Sequence, residues 1–208
     1  MTSTYNSLQQ AYDYFNLELF NGSLPDCLIT MQRKKGSLGY FATQRFENKI
    51  DQTDIVHEIA LNPAAFKTRT NIEVLSTLVH EMCHVWQQEQ GTPSSKAYHN
   101  REWSIMMSSI GLIPSDTGLE GGKKTGQRMT HYIADLGIFR EVATTFIEDN
   151  QPILYQDRAI TIHRTRTGKT INNNKIKYTC TSCEDNAWGG SELSLKCNKC
   201  DSDFIKVG

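Results

Sequence analysis

The chain has 208 residues, 38% of them hydrophobic, which is enough for a folded domain of ordinary size with a small appendage. Its formal net charge of −1 excludes binding to nucleic acid or anionic membranes by bulk charge, so such binding would need a local basic patch. We find no basic segment followed by an apolar run and no stretch of about 18 apolar residues, so we expect neither a signal peptide nor a membrane span and place the chain in the cytoplasm.

The N-terminal third predicts one helix followed by strands. Apolar residues three or four apart predict a helix over residues 5–20 that ends at Asn21-Gly22. From Leu28 to about Ala60, short apolar runs alternate with Gly, Asn and charged residues, which predicts a few strands or hairpins. Asn62-Pro63 closes this part.

The next pattern, from Asn71 to Gln90, predicts the best-defined helix of the chain, and it contains a His-Glu-x-x-His motif at residues 80–84. At about 100° per residue, His80 and His84 lie one turn apart and about 40° from each other, so both imidazoles can reach one ion. The main apolar residues of this helix point in a different direction. Glu81 lies about 100° from His80, which suits a general base acting on a metal-activated water better than an in-line ligand.

A catalytic zinc site usually has three protein ligands, and the residues leave the third one open. Gln90 stands where a metzincin has its third histidine, which excludes that arrangement. His99 and Glu102, three residues apart at the start of the next predicted helix, can point to one face, and we prefer His99 with Glu102 second. His131 lies beyond a Gly-rich basic loop at residues 118–128, and for it we favour a polar-loop or packing role.

The C-terminal part changes in character after a last helical period at residues 139–147. Residues 158–177 contain no acid and six cations: Arg158, Arg164, Arg166, Lys169, Lys175 and Lys177. Cations in such a tract are placed to neutralise phosphates, and a solvated linker is the alternative.

Two Cys-x-x-Cys pairs follow, with thirteen residues between them: Cys180 and Cys183, then Cys197 and Cys200. In a reducing compartment this spacing is typical of a four-cysteine zinc ribbon, and four thiolates leave no open position, so the metal would be structural. Trp188 inside the ribbon would either stack on a nucleic-acid base or form the small ribbon core.

The residues around the motif resemble the SprT-like metalloprotease family, which includes the Spartan-type proteases that digest proteins crosslinked to DNA. The resemblance is carried by the runs at residues 78–87 and 98–103, by residues 12–25 in the first helix and its exit, by Gly39-Tyr-Phe41 and Ile59-Ala-Leu-Asn-Pro63, and by the cysteine pairs. It implies that the third zinc ligand is His99. The basic loop at residues 121–133 resembles only a bacterial-type subset of the family.

We therefore predict an α+β fold, with a zincin-like helical metalloprotease core and a small flanking β-sheet at residues 1–150, a basic connecting segment at 151–177 and a zinc ribbon at 178–208. The predicted function is zinc-dependent endopeptidase action on DNA-bound or DNA-crosslinked proteins, with one catalytic and one structural zinc. Protein substrates and single-stranded or duplex DNA are the expected partners, with no membrane and no small-molecule cofactor, and DNA binding would bring the protein to the nucleoid.

Two alternatives stay open. One is a general intracellular zinc peptidase that does not depend on DNA. The other is a non-catalytic nucleic-acid-binding or transcription-associated zinc protein, and against it stands Glu81, which a purely structural site does not need.

Overall fold

The computed structural model describes residues 2–95, 98–150, 156–157, 176–190 and 192–207. The chain divides into two compact units, residues 1–160 and 161–208. Helices and strands are mixed, in agreement with the α+β class that the sequence predicts. Within the described residues, no helix is long and apolar enough to cross a membrane.

The first unit begins with a helix and a three-stranded sheet. Helix α1 (Thr2–Phe20) ends where Asn21 takes the left-handed backbone with φ of 54°, in agreement with the predicted helix end. The strands are β1 (Cys27–Met31), β2 (Gly39–Glu47) and β3 (Ile55–Leu61). Strand β3 lies in the centre, parallel to β1 and antiparallel to β2, so β2 is an edge strand.

A short 3₁₀ helix (Pro63–Thr68) leads into helix α2 (Asn71–Gln90), which has the bounds that its periodicity predicts. Thr70 and Glu73 form a capping box at its start, where each side chain bonds the backbone N–H of the other residue. Helix α2 packs against α1, against β2 and β3, and against the later helices. Its apolar side supplies much of the core, including Leu75, Leu78 and Met82.

The segment after α2 differs from its prediction in two places. Helix α3 (Arg101–Ser109) starts after the N-cap Asn100 and not at His99, because the Asn100 side chain accepts a hydrogen bond from the backbone of Trp103. The Gly-rich segment joins two strands that we did not predict. Strand β5 (Thr130–Ile133) pairs antiparallel with β4 (Leu112–Ser115), and the two form a hairpin.

Helix α4 (Ile138–Asp149) completes the described elements of the first unit and extends slightly beyond the predicted period at 139–147. Its Phe139 and Phe146 pack against Phe15 of α1, with ring centroids 5.8 and 5.7 Å apart. The apolar core therefore joins the first and last helices of this unit around α2.

The second unit contains a three-stranded antiparallel sheet in the order β7 (Asn186–Gly189), β6 (Ile176–Cys180) and β8 (Phe204–Val207). Among its described residues, the buried side chains are few: Tyr178, Cys180 and Cys197. The four predicted cysteines cluster in this unit. Of the predicted basic tract, only Lys177 lies within the described residues; Arg158, Arg164, Arg166, Lys169 and Lys175 lie outside them.

Two glycines have nearly the same φ angle but different surroundings, so we expect alanine to lower the free energy of unfolding by different amounts at the two positions. Gly111 has φ of +85° and a Cβ there would lie 2.7 Å from the Cα of Gly137, whereas Gly121 has φ of +86° and open space around it. Alanine at either position carries roughly 1–2 kcal/mol of left-handed backbone cost. We expect Gly111→Ala to lose about a further 1–3 kcal/mol, because a backbone cannot move aside as a side chain can.

Urea unfolding of both variants measures this difference in the free energy of unfolding. Equal losses for Gly111→Ala and Gly121→Ala would show that the two chain segments do not pack this closely.

Candidate metal centres

Three histidines converge in the first unit. His80 and His84 lie one turn apart on α2, and His99 comes from the segment before α3. Their ligand nitrogens all lie within 4.8 Å of one another. His80 and His99 are buried and His84 is half-buried. This spacing is suited to three imidazoles that share one ion.

A fully buried tryptophan forms the base of this cluster. Trp103 of α3 lies nearly parallel to the ring of His84, with centroids 5.3 Å apart and an interplanar angle of 17°. It meets the rings of His80 and His99 edge-on, at 4.9 and 4.4 Å. The sequence places Trp103 in an apolar helical pattern, and its role as a common packing surface for three histidines becomes visible only in the fold.

The surroundings of the three imidazoles favour their neutral form. Burial lowers the pKa of His80 well below its ordinary value, and His131, His84 and His99 nearby act in the same direction. Burial also lowers the pKa of His84 to about 3, with His99 adding to the shift. For His99, burial again lowers the pKa. The neutral ring is the form that binds a metal, and a set of imidazole nitrogens fits zinc, so these residues fit a zinc ion.

A buried carboxylate lies beside the histidines. Glu81 is 6% exposed, and the backbone N–H of Phe41 on β2 donates a hydrogen bond to it. Burial raises the pKa of Glu81 to about 8, against the opposing effect of Lys34 and this N–H. Strand β2 can come this close because residue 39 is glycine: a Cβ there would lie 3.2 Å from Oε1 of Glu81 and 3.0 Å from the backbone oxygen of Ala60.

The histidines and Glu81 line a cleft of about 960 Å³. Its walls come from β2, from the segment around Tyr98 and from residues 127–131. The cleft thus brings the metal-binding candidates, a carboxylate and the edge strand of the sheet into one concave space.

The three candidates for the third zinc ligand have different contacts in the structure. The interpretation that His99 and Glu102 share one helical face is wrong, because His99 precedes α3 and pairs through its backbone with Gly126. Glu102 accepts hydrogen bonds from the backbone N–H of Thr92 at 2.7 Å and from Gln87 Nε2 at 2.8 Å, so it holds the turn after α2. His131 contacts His80, with their Nδ1 atoms 3.2 Å apart.

In the second unit, the four cysteine sulfurs also lie within 4.8 Å of one another. Backbone N–H groups of Cys183 and Ser182 lower the pKa of Cys180 to about 6, and those of Lys199 and Cys200 act likewise on Cys197. The lowered pKa values of Cys180 and Cys197 favour thiolates, the form in which cysteine binds zinc. Against the backbone N–H of Asp185, burial and hydrogen bonds with the other three cysteines raise the pKa of Cys183 to about 12. The cluster is consistent with the predicted zinc ribbon.

Both cysteine pairs have the same turn geometry. Glu184 and Asp201, each directly after the second cysteine of its pair, have positive φ of 59° and 51°. The backbone N–H of each donates to the carbonyl oxygen of the first cysteine, at 3.2 and 2.9 Å. A salt bridge of 2.7 Å from Lys199 to Asp185 joins the two turns. The left-handed positions could not be read from the sequence, since neither is glycine.

Trp188 is 61% exposed, so the interpretation that it forms the ribbon core is wrong. Tyr178 takes the core position instead, at 3% exposure. Lys177 of β6 lies directly between Trp188 of β7 and Val207 of β8 in the register of the sheet. These three side chains therefore share one face.

Comparisons with known proteins agree with this picture of the first unit. The sequence model of the SprT-like family matches residues 8–123, which include all three histidines and Glu81. An uncharacterized protein of the mucB 3′ region from Salmonella typhimurium is 56% identical over 43 residues, which are 21% of this chain and 58% of that protein. The chain thus spans little more than half the length of this relative. No solved structure matches the chain.

Substitution of His99, before α3, and of Glu102, in its first turn, tests which residue is the third zinc ligand. We expect His99→Ala to lose one equivalent of zinc relative to the wild-type chain, because two imidazoles seldom hold zinc firmly. Glu102→Gln should keep its zinc, since this side chain bonds a turn and not the ion. Elemental analysis of both full-length variants gives the zinc content; a metal loss in Glu102→Gln combined with full content in His99→Ala would contradict the assignment.

Proposed function

The chain belongs to the SprT-like family, and from that premise we propose that it is a zinc-dependent endopeptidase in which His80, His84 and His99 hold the metal and Glu81 is the general base. The observation that carries the proposal is the convergence of three imidazoles and one buried carboxyl group in a single cleft. A structural site needs the ligands but not the carboxylate. A hydrolytic site needs both.

A bound zinc ion would supply Lewis-acid chemistry, polarising the scissile carbonyl and lowering the pKa of water. Glu81 accepts the proton from the attacking water and delivers it to the leaving amine. The N–H of Phe41 directs this carboxylate, so that the base is held on the β2 side of the histidines. Trp103 and the apolar core keep the imidazoles in place from below.

The edge strand supports a peptide substrate. Among the described residues, β2 pairs only with β3, so the backbone groups on its other edge take no part in the sheet. Two of them have side-chain partners: the N–H of Phe41 donates to Glu81, and the carbonyl oxygen of Gly39 accepts from the Ser37 hydroxyl. Gly39, Tyr40 and Phe41 of this strand line the cleft beside Glu81. An extended peptide that pairs with this edge would lie along the histidines and the base. A motif helix beside such a sheet is also the arrangement that a zincin-like core requires.

We propose further that the substrates are proteins bound or crosslinked to DNA, and that the ribbon contributes to DNA binding. Trp188 exposes an indole next to Lys177 on one face of the ribbon sheet, which pairs a stacking surface with a cation. The acid-free tract that precedes the ribbon in the sequence adds further cations. This part of the proposal rests on the charge pattern, the exposed indole and the family.

Removal of the base tests the chemistry. We expect Glu81→Gln to bind zinc as the wild type does and to lose peptide hydrolysis by about 10²–10⁴-fold, because the ligands remain while proton transfer is lost. Glu89→Gln is the matched control, a carboxylate two turns further along α2 that pairs with His57 outside the histidine cluster. Cleavage of an unfolded protein substrate and zinc content are the measurements; wild-type turnover in Glu81→Gln would refute the mechanism.

Two substitutions on one row of the ribbon sheet test DNA binding. We expect Trp188→Ala to weaken binding of an unstructured single-stranded oligonucleotide by about 1–3 kcal/mol, because base stacking is lost. Val207→Ala, on the other side of Lys177, removes exposed apolar surface without an aromatic ring and should change little.

Fluorescence anisotropy over a range of salt concentrations gives both affinities and the electrostatic contribution. If binding does not depend on salt, and proteolysis is the same with and without DNA, the alternative of a general zinc peptidase replaces the DNA-directed function.

A further inference from the structure

A chain of three hydrogen bonds leads away from His80. Its Nδ1 lies 3.2 Å from Nδ1 of His131 on β5, and Nε2 of His131 lies 2.9 Å from the hydroxyl oxygen of Ser76. Ser76 donates its only hydroxyl proton to the backbone oxygen of Glu73, at 2.8 Å. The far end of the chain is therefore fixed by a carbonyl group, which can only accept.

The direction of every proton follows from that end. Because the Ser76 hydroxyl donates its proton to the backbone oxygen of Glu73, its oxygen can only accept from His131. Nε2 of His131 therefore carries a hydrogen. Nδ1 of the neutral His131 ring is then an acceptor, and Nδ1 of His80 must be the donor. His80 is left with a free lone pair on Nε2, the nitrogen available to a metal.

The same hairpin acts on His99. Nδ1 of His99 lies 3.2 Å from the backbone oxygen of Gly126, which also accepts the backbone N–H of His99 at 2.9 Å. A carbonyl oxygen cannot donate, so Nδ1 of His99 carries the hydrogen and Nε2 is free. Gly126 lies on the segment that joins β4 to β5, and His131 lies on β5 itself.

We propose that the segment 116–133 sets the metal-binding tautomers of His80 and His99, and that His131 is a positioning residue that acts through His80. The proposal rests on the proposed function, since it assumes that these histidines bind zinc. Both Gly126 and His131 lie beyond residue 123, where the family match ends. The basic, Gly-rich segment, which takes no direct part in the hydrolytic chemistry, would thus orient two of the metal ligands.

The test replaces His131 by phenylalanine, which keeps a ring but removes the acceptor. In the metal-free protein, long-range ¹H–¹⁵N NMR should show His80 with its proton on Nδ1 in the wild type and a mixture of tautomers in His131→Phe. Zinc affinity at the histidines, followed through the His84 ring signals in competition with a chelator, should fall by about 10–100-fold, the usual effect of losing a residue that orients a ligand.

Rescue and a matched control separate orientation from folding. His131→Asn restores an acceptor oxygen close to the position of Nδ1 and should recover most of the zinc affinity. His57→Phe removes another buried histidine of the same unit, one that bonds Gln44 and Glu89 and none of the three ligands, and should leave zinc affinity and the His80 tautomer unchanged.

A second variant covers the case in which His131→Phe does not fold. Ser76→Ala keeps both rings but removes the group that orients His131, so it should weaken zinc binding and give a mixed His131 tautomer. Unchanged zinc affinity in the folded His131 and Ser76 variants, or a wild-type His80 with its proton on Nε2, would overturn the inference. A wild-type protein that binds no zinc at the histidines would instead overturn the proposed function.

Discussion

Helix α2 buries ionisable side chains as well as an apolar stripe, and each buried polar group needs a hydrogen-bond partner. Two hydrogen-bond partners and one packing surface come from three different elements. Phe41 on the edge strand bonds Glu81, and His131 on the hairpin bonds His80. Trp103 on α3 packs against both helix histidines. The positions of the sheet, the hairpin and α3 around α2 are therefore tied to the same set of buried polar groups that forms the candidate site.

The two units are stabilised by different means. The first has a large apolar core that runs from α1 through α2 to α4, so we expect apolar burial to stabilise its fold. The second, at residues 176–190 and 192–207, buries little more than Tyr178 and two cysteines. A segment of about thirty residues cannot hold itself together on so little apolar surface, so we infer that metal binding by the four thiolates supplies most of its folding free energy.

Patterns of neighbouring residues predicted the features that depend on neighbouring residues, such as helix bounds and the spacing of a motif on a helix. The bounds of α2 follow from its period, and the His-Glu-x-x-His spacing places both histidines on one side of it. The start of α3 was missed by two residues because the Asn100 cap, rather than apolar spacing, sets it. The contact of His131 with His80 joins residues 51 positions apart, and neither it nor the pairing of β5 with β4 is carried by a local signal. The exposure of Trp188 likewise depends on Tyr178 filling the ribbon core.

In the proposed site, three imidazoles, including the one from before α3, hold a zinc ion next to Glu81. Anomalous diffraction at the zinc absorption edge from crystals of the zinc-loaded protein tests it most directly. We expect a peak about 2.0–2.1 Å from one ring nitrogen of each of His80, His84 and His99, with Nε2 as that nitrogen in His80 and His99. A peak at the four cysteines alone, or one near Glu102 without His99, would contradict it.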